Sequence, residues 1–206
     1  MTVVVIANPK GGVGKITLAT NVAGYFASRG RAVMLGDADR QGSSQLWLGL
    51  RPPTAWPISS WDGSGDNLVK PPKGTTHVVP DTPGGLHGRR RGEVVKLSHK
   101  IIVPLQPSVF DIFATRMFLD PLAEYRRMGK VQMGIVGMRV DARTIAADQL
   151  QAFVAGLGFR VSGMVRGTRN YIHLAARRLS LFDVAPGRVE KDLAQCDGIC
   201  GWIDQK

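Results

Sequence analysis

The first thirty residues constrain the fold more than any other stretch of the chain. "TVVVIAN" is a short β-branched run, "PKGGVGK" a glycine loop, and "ITLATNVAGYFASRG" keeps helical spacing as far as Gly30. A buried strand feeding a helix through such a loop aims the helix's first N–H groups at one point. That point attracts anions. Lys10 and Lys15 add charge, and Gly11, Gly12, Val13 and Gly14 let the backbone approach a polyphosphate closely. The residue after Lys15 is Ile16, whereas phosphate loops carry Ser or Thr there as a Mg²⁺ ligand.

Further apolar runs repeat the strand signal: "RAVMLGD", "THVVPD", "KIIVPL", "VQMGIVG" and "FRVSGMV". Helical stretches separate most of them: "SVFDIFATRMFL", with Ser108 and Asp111 at capping-box spacing, then "TIAADQLQAFVAGLG", "NYIHLAARRL" and "RVEKDLAQ". Short apolar strands alternating with helices predict a doubly wound α/β fold, with a mainly parallel sheet covered on both faces. At 206 residues the chain fits one domain, 1–206. Residues 51–75 hold five prolines and little periodicity, and are expected to form an irregular surface excursion pinned to the body by Trp56 and Trp61. Pro121 interrupts a helical run, so Asp120-Pro121 is a candidate start of a separate helix.

Three motifs fall at the carboxyl ends of the first three of these strands, where an open α/β sheet places its ligand: "PKGGVGK", "GDADRQGSSQ" and "PDTPGG". Together they resemble the ParA/MinD family of deviant Walker ATPases, most closely its small partition ATPases. "KGGVGK" is similar to that family's modified phosphate loop, "DADRQGSS" to its second motif and "VVPDTPGG" to its Walker B region, with weaker similarity through "IIVPLQPSVFDIFATR" and "DLAQ". The resemblance implies ATP/ADP and Mg²⁺ as cofactors. It implies nucleotide binding by Lys10, Gly11, Gly12, Val13, Gly14, Lys15, Ile16 and Thr17, and a catalytic set of Lys10, Lys15 and Asp39. Lys10 is expected to reach the nucleotide of a facing copy in an ATP-dependent homodimer. Asp39 is expected to position the attacking water, and Asp37 and Asp81 to serve the metal shell, with the roles of Asp37 and Asp39 exchangeable.

The chain departs from the family's pattern in four places. Arg40 replaces a proline of the second motif, and Pro80 precedes Asp81 in a run that reads as a central strand, where a missing N–H is poorly tolerated. Met138 and Arg139 follow "GIVG" where an asparagine near the base is usual, which leaves base recognition open. Ile16 keeps the β-branched shape of threonine but supplies no oxygen. Adjacent helical residues diverge by about 100°, so Thr17 is not a substitute. Binding without efficient turnover is the expectation.

Net charge narrows the partners. The chain carries a formal +11, and from Arg126 to Lys191 twelve basic residues face four acidic ones, a surplus of eight. Such a surplus favours polyanions. On "NYIHLAARRL", Asn170 reads as the cap, Ile172, Ala175 and Leu179 as the packed face, and Arg169, His173 and Arg177 as a solvent-facing stripe. With Arg166, Arg178 and Lys191 these form the candidate surface for non-specific double-stranded DNA. "HGRRRGE" adds Arg89, Arg90 and Arg91 near the Walker B region.

The expected setting is cytoplasmic and nucleoid-associated, without membrane attachment, because no apolar run approaches about eighteen residues and "CDGICGWIDQK" is poorly patterned as an anchor. The resemblance also implies a cargo or centromere-binding adaptor protein that stimulates hydrolysis, so that the chain positions a plasmid, a chromosome region or another cargo. Two rivals remain at this point. One is a hydrolysis-deficient, nucleotide-dependent DNA-binding switch. The other is a metal-cluster relative, which Cys196 and Cys200 alone do not support.

Overall fold

The computed structural model describes residues 1–38, 42–63, 70–82, 88–129 and 131–205. β1 (Thr2–Ile6) is the β-branched run at the N-terminus, and its last four residues are buried. It is hydrogen-bonded on both edges, in parallel with β4 (His77–Asp81) and with β5 (Lys100–Leu105). β2 (Val33–Asp37), β6 (Gln132–Gly137) and β7 (Arg160–Met164) extend the sheet, and β3 (Ser59–Asp62) forms one edge. The order is β3-β2-β4-β1-β5-β6-β7, and the recorded pairings are all parallel. The predicted doubly wound α/β sheet is therefore present.

Alternate residues of the strands feed two cores. Val4, Ile6, Leu35 and Val79 pack with α1 (Lys15–Ser28), α2 (Ser43–Gly49) and α7 (Glu190–Asp204). Val3, Val5, Ile101 and Val103 pack with α3 (Gly88–Leu97), α4 (Val109–Arg127) and α5 (Ile145–Gly156) on the opposite face. α6 (Arg169–Ala176) is short, and it reaches the first core through Tyr171 and Leu174.

Four local expectations are corrected. The 51–75 excursion is not wholly irregular, because Ser59–Asp62 pair with Met34–Asp37 as β3. Only Trp61 of that strand is buried, so no apolar run announced it. Gly36 permits the approach, since a Cβ there would lie 1.6 Å from the Trp61 carbonyl oxygen. Trp56 does pin the excursion, with Nε1 donating to the Phe182 carbonyl at 3.0 Å.

Pro121 does not start a new helix; α4 runs through it. The carbonyl that loses its N–H partner there belongs to Met117, a residue 78% exposed, so the missing bond falls on the solvent side of the helix. α7 continues beyond "RVEKDLAQ" to Asp204 because Cys196, Ile199, Cys200, Trp202 and Ile203 are buried, and that packing outweighs the low helix propensity of Gly198 and Gly201. The cap of α6 is Thr168, whose hydroxyl accepts from the Asn170 N–H at 3.3 Å. Asn170 instead donates its side-chain amide to Asp192 at 2.7 Å.

Candidate functional site

The strand-to-helix loop is held from below by two amides. Asn8, fully buried at the end of β1, donates through Nδ2 to the Pro104 carbonyl at 2.7 Å and to Thr115 Oγ1 at 3.1 Å. Its Oδ1 accepts from the Lys10 N–H at 2.8 Å, which starts the turn. Gln106 Nε2 donates to the Gly12 carbonyl at 2.9 Å. Sequence reasoning missed both residues as loop supports. Their only sequence signal is an amide at the carboxyl end of a buried strand, which many turns share.

Gly12 and Gly14 have φ of 73° and 97°, a region that side chains disfavour. Gly14 is the N-cap of α1, with no side-chain cap, and the first backbone bond of the helix is Leu18 N–H to the Gly14 carbonyl at 2.9 Å. The N–H groups of Gly11, Gly12, Val13 and Gly14 have no acceptor among the described residues. A row of free donors at the positive end of a helix fits a polyphosphate. Lys15 folds over the loop, its Nζ donating to the Lys10 carbonyl at 2.7 Å, so its charge already sits where phosphate oxygens would be neutralised. Lys10 Nζ lies 3.7 Å from Asp111 Oδ1 and is partly exposed.

Asp37 and Asp81 are register partners at the carboxyl ends of β2 and β4, so the structure brings them together beside β1. Pro80 fits because β4 ends one residue later, and Asp81 lies where the motif put it. Asp37 is buried, and its two oxygens accept from the Ser44 and Gln45 N–H groups at 3.1 and 3.0 Å. It therefore serves as an acidic cap for α2. Asp39 and residues 83–87 of "PDTPGG" lie outside the described residues, as do the side chains of Arg89, Arg90 and Arg91.

The donor set suits phosphate better than a directly bound cation. No cluster of three or more His, Cys, Asp or Glu residues suited to a metal occurs among the described residues. Ile16, half-buried in the first turn of α1, contributes no side-chain oxygen, and Asp37 is engaged by backbone donors. Asp81 is the other buried carboxylate beside the loop, and Mg²⁺ asks for near-octahedral oxygen coordination, more than one such group supplies.

A cavity of about 520 Å³ opens beside the loop. Gly14 and Thr17 form one wall, Met138 and Arg139 follow β6, and Tyr171 and Ile172 come from α6. Its size and mixed lining suit a nucleoside. Thr17 thus faces this cavity, consistent with the expected divergence from Ile16. Arg139 has φ of 54°, a left-handed conformation unusual for arginine. Burial pushes the Tyr171 phenol well above its ordinary range.

The predicted packed face of α6 is corrected here. Tyr171 and Leu174 reach the core, whereas Ile172 is 70% exposed and lines the cavity with Ala175. Tyr171 and Leu174, three residues apart and so on one face, hold the helix against the body instead.

The candidate DNA residues divide into two groups. Arg169, His173, Arg177 and Lys191 are exposed, with no ion pair among the described residues. Arg166 pairs with the fully buried Asp192, and that hydrogen bond raises the guanidinium pKa. Arg178 caps α6, donating to the Ala175 and Ala176 carbonyls at 3.2 and 2.7 Å. No helix of the described residues is long and apolar enough to cross a membrane. Cys196 and Cys200 are both buried, with their sulfurs 3.9 Å apart, and burial pushes the Cys200 thiol up.

Residues 4–192 match the family model described as the CobQ/CobB/MinD/ParA nucleotide binding domain. The chain is 28% identical over 195 residues to maintenance of carboxysome distribution protein A of Halothiobacillus neapolitanus, covering 91% of this chain and 90% of that protein. It is 28% identical over 184 residues to the chromosome-partitioning ATPase Soj of Thermus thermophilus, covering 72% and 74% respectively. Among solved structures, a protein of Borrelia burgdorferi B31 named for plasmid partition, solved with AMPPNP bound, superposes with a TM-score of 0.72 at 14% identity, covering 97% of each chain. The sheet order, the glycine loop and these matches lead to one conclusion: the chain belongs to the CobQ/CobB/MinD/ParA nucleotide-binding family, with partition-type ATPases among its relatives.

Proposed function

We propose that this chain binds ATP, pairs with a second copy across the nucleotide, and in that state coats DNA without sequence preference to position a cargo. The observation that carries the reading is the row of free N–H groups at Gly11 to Gly14, under the Lys15 charge and continuous with the 520 Å³ cavity. Phosphates suit the loop and a nucleoside suits the cavity. Exposed Arg169, His173, Arg177 and Lys191 support a phosphate-tracking surface. Pairing through Lys10, association with the nucleoid, and an adaptor that stimulates hydrolysis complete the cycle by analogy with partition relatives.

Slow turnover is part of the proposal. Hydrolysis needs a metal-bound γ-phosphate and an oriented water, roles proposed for Mg²⁺ near Asp81 and for Asp37 or Asp39. When bound, Mg²⁺ would neutralise charge on the β- and γ-phosphates. Ile16 places an ethyl group where a ligating hydroxyl belongs, so ATP is held and cleaved slowly. A pure binding switch is the second reading, and the same residue favours it.

Equilibrium binding of a fluorescent ATP analogue to the chain and to Lys15→Ala tests the core of the proposal. Micromolar binding that weakens at least tenfold in the variant is expected. Equal binding by both would overturn the loop as the nucleotide site.

A further inference from the structure

A second cavity, of about 440 Å³, lies on the sheet face opposite the one that packs α1, and shares no lining residue with the cavity beside the loop. Its wall is apolar and buried: Val5 of β1, Trp61 of β3, Val78 of β4 and Val94 of α3 are each at most 5% exposed. Its rim differs. Lys70, Lys96 and His99 line it and are exposed, and neither lysine has an ion pair among the described residues. His99 Nδ1 accepts from the Val3 N–H at 3.1 Å, so in the neutral ring Nε2 keeps the proton and is a donor. Neither Asp nor Glu occurs among the described lining residues.

We infer that this cavity is a second ligand site, and that its ligand is a small amphipathic anion of the fatty-acid type, with its hydrocarbon tail against the buried wall and its carboxylate at the lysine rim. Three arguments select that chemistry. The volume suits a small molecule. The wall of Val, Trp and Val side chains rewards an unbranched apolar body, each buried methylene tightening binding about fourfold, and offers no partners to the N–H and C=O groups of an inserted peptide. The unpaired positive charge at the rim favours an anionic head over a neutral or cationic one. A nucleotide or a DNA phosphate would satisfy the lysines and leave the apolar wall unused. The inference is independent of the nucleotide reading, because the two sites have no residue in common.

Titration calorimetry of the full chain with decanoate, octanoate and decanol tests this, on the native protein and on the double variant Lys70→Glu with Lys96→Glu. Both lysines are exposed, so folding should be retained, which thermal melting checks. Decanoate should bind the native chain, octanoate at least fivefold more weakly because two methylenes are lost, and decanol at least fivefold more weakly because the head is neutral. The double reversal should weaken decanoate at least fivefold. Decanoate brominated at the tail end locates the site: it should quench tryptophan fluorescence in the native chain, and lose most of that quenching in Trp61→Phe. Absence of decanoate binding would overturn the site. Equal binding of octanoate and decanoate would overturn it as well, since a response independent of tail length reports only the overall +11 charge. Equal binding of decanol, or indifference to the double reversal, would overturn the anionic class. Undiminished quenching in Trp61→Phe would place the ligand elsewhere and overturn the assignment to this cavity.

Discussion

Arg51 and Asp183, separated by 132 positions in the chain, form a buried two-point ion pair: Arg51 Nη2 donates to Oδ1 and Oδ2 at 3.1 and 3.2 Å. The same carboxylate accepts from the Trp56 N–H at 3.0 Å and from the Ser180 N–H at 2.7 Å. One acidic group thereby fastens the start of the proline-rich excursion to the segment ahead of α7. Asp183→Ala leaves the Arg51 guanidinium buried without its partner, and we expect a loss of about 3 to 5 kcal/mol. Chemical denaturation checks this. A loss under about 1 kcal/mol would mean that the excursion is held by packing alone.

His77 sets a pH dependence. Its ring stacks on Phe26 at 3.8 Å, and burial lowers its pKa below the ordinary 6.5, opposed by Asp204 and reinforced by Arg31 and the N-terminus. The folded state therefore favours neutral imidazole. The associated stability is complete above about 6.5 and is lost as pH falls through 6.5 toward the depressed folded value. Melting temperature followed from pH 7.5 to 5.5 should fall more steeply for the native chain than for His77→Gln.

Gly14→Ala joins the loop to the cavity. The residue has φ of 97°, and an added Cβ would lie 2.8 Å from Met138 Cε. The left-handed backbone costs about 1 to 2 kcal/mol, and Met138, which lines the adjoining cavity, must shift. Stability by denaturation and affinity for an ATP analogue should both fall, the latter about tenfold. Unchanged affinity would place the base elsewhere.

The basic face divides into residues free to meet phosphate and residues spent on the fold. Arg169→Ala and Arg177→Ala should weaken binding to duplex DNA uniformly across sequences, each reducing the slope of log affinity against log salt by about 1. Arg166→Ala should lower stability instead, since it releases buried Asp192. Fluorescence anisotropy across a salt series separates these effects. A flat salt response of the native chain would remove DNA from the account.

The strand–loop–helix start was legible because a β-branched run, a glycine loop and a helical run that is buried from Leu18 to Ala27 follow one another without interruption. Asp37 and Asp81 were legible because acids at strand ends are positional signals, and the register places them side by side. β3 was not, since an edge strand paired on one side needs no apolar run and Trp61 is its only buried residue. The continuity of α4 through Pro121 was hidden because the outcome depends on which side of the helix the proline and Met117 occupy, a tertiary fact. The 520 Å³ cavity beside the loop was also hidden. Its walls come from β6, α6 and the loop between β7 and α6, and Met138, Arg139, Tyr171 and Ile172 form no motif along the chain.

On the proposed reading, Ile16 decides between a cycling enzyme and a holding one. Mg²⁺-dependent ATP hydrolysis with duplex DNA present, compared between the native chain and Ile16→Thr alongside ATP-analogue affinity, is the most direct measurement. Comparable affinities, with at least tenfold faster turnover in the threonine variant, are the expected result. Equal turnover would contradict the account, because another group would then complete the metal shell and the loop would not limit the chemistry.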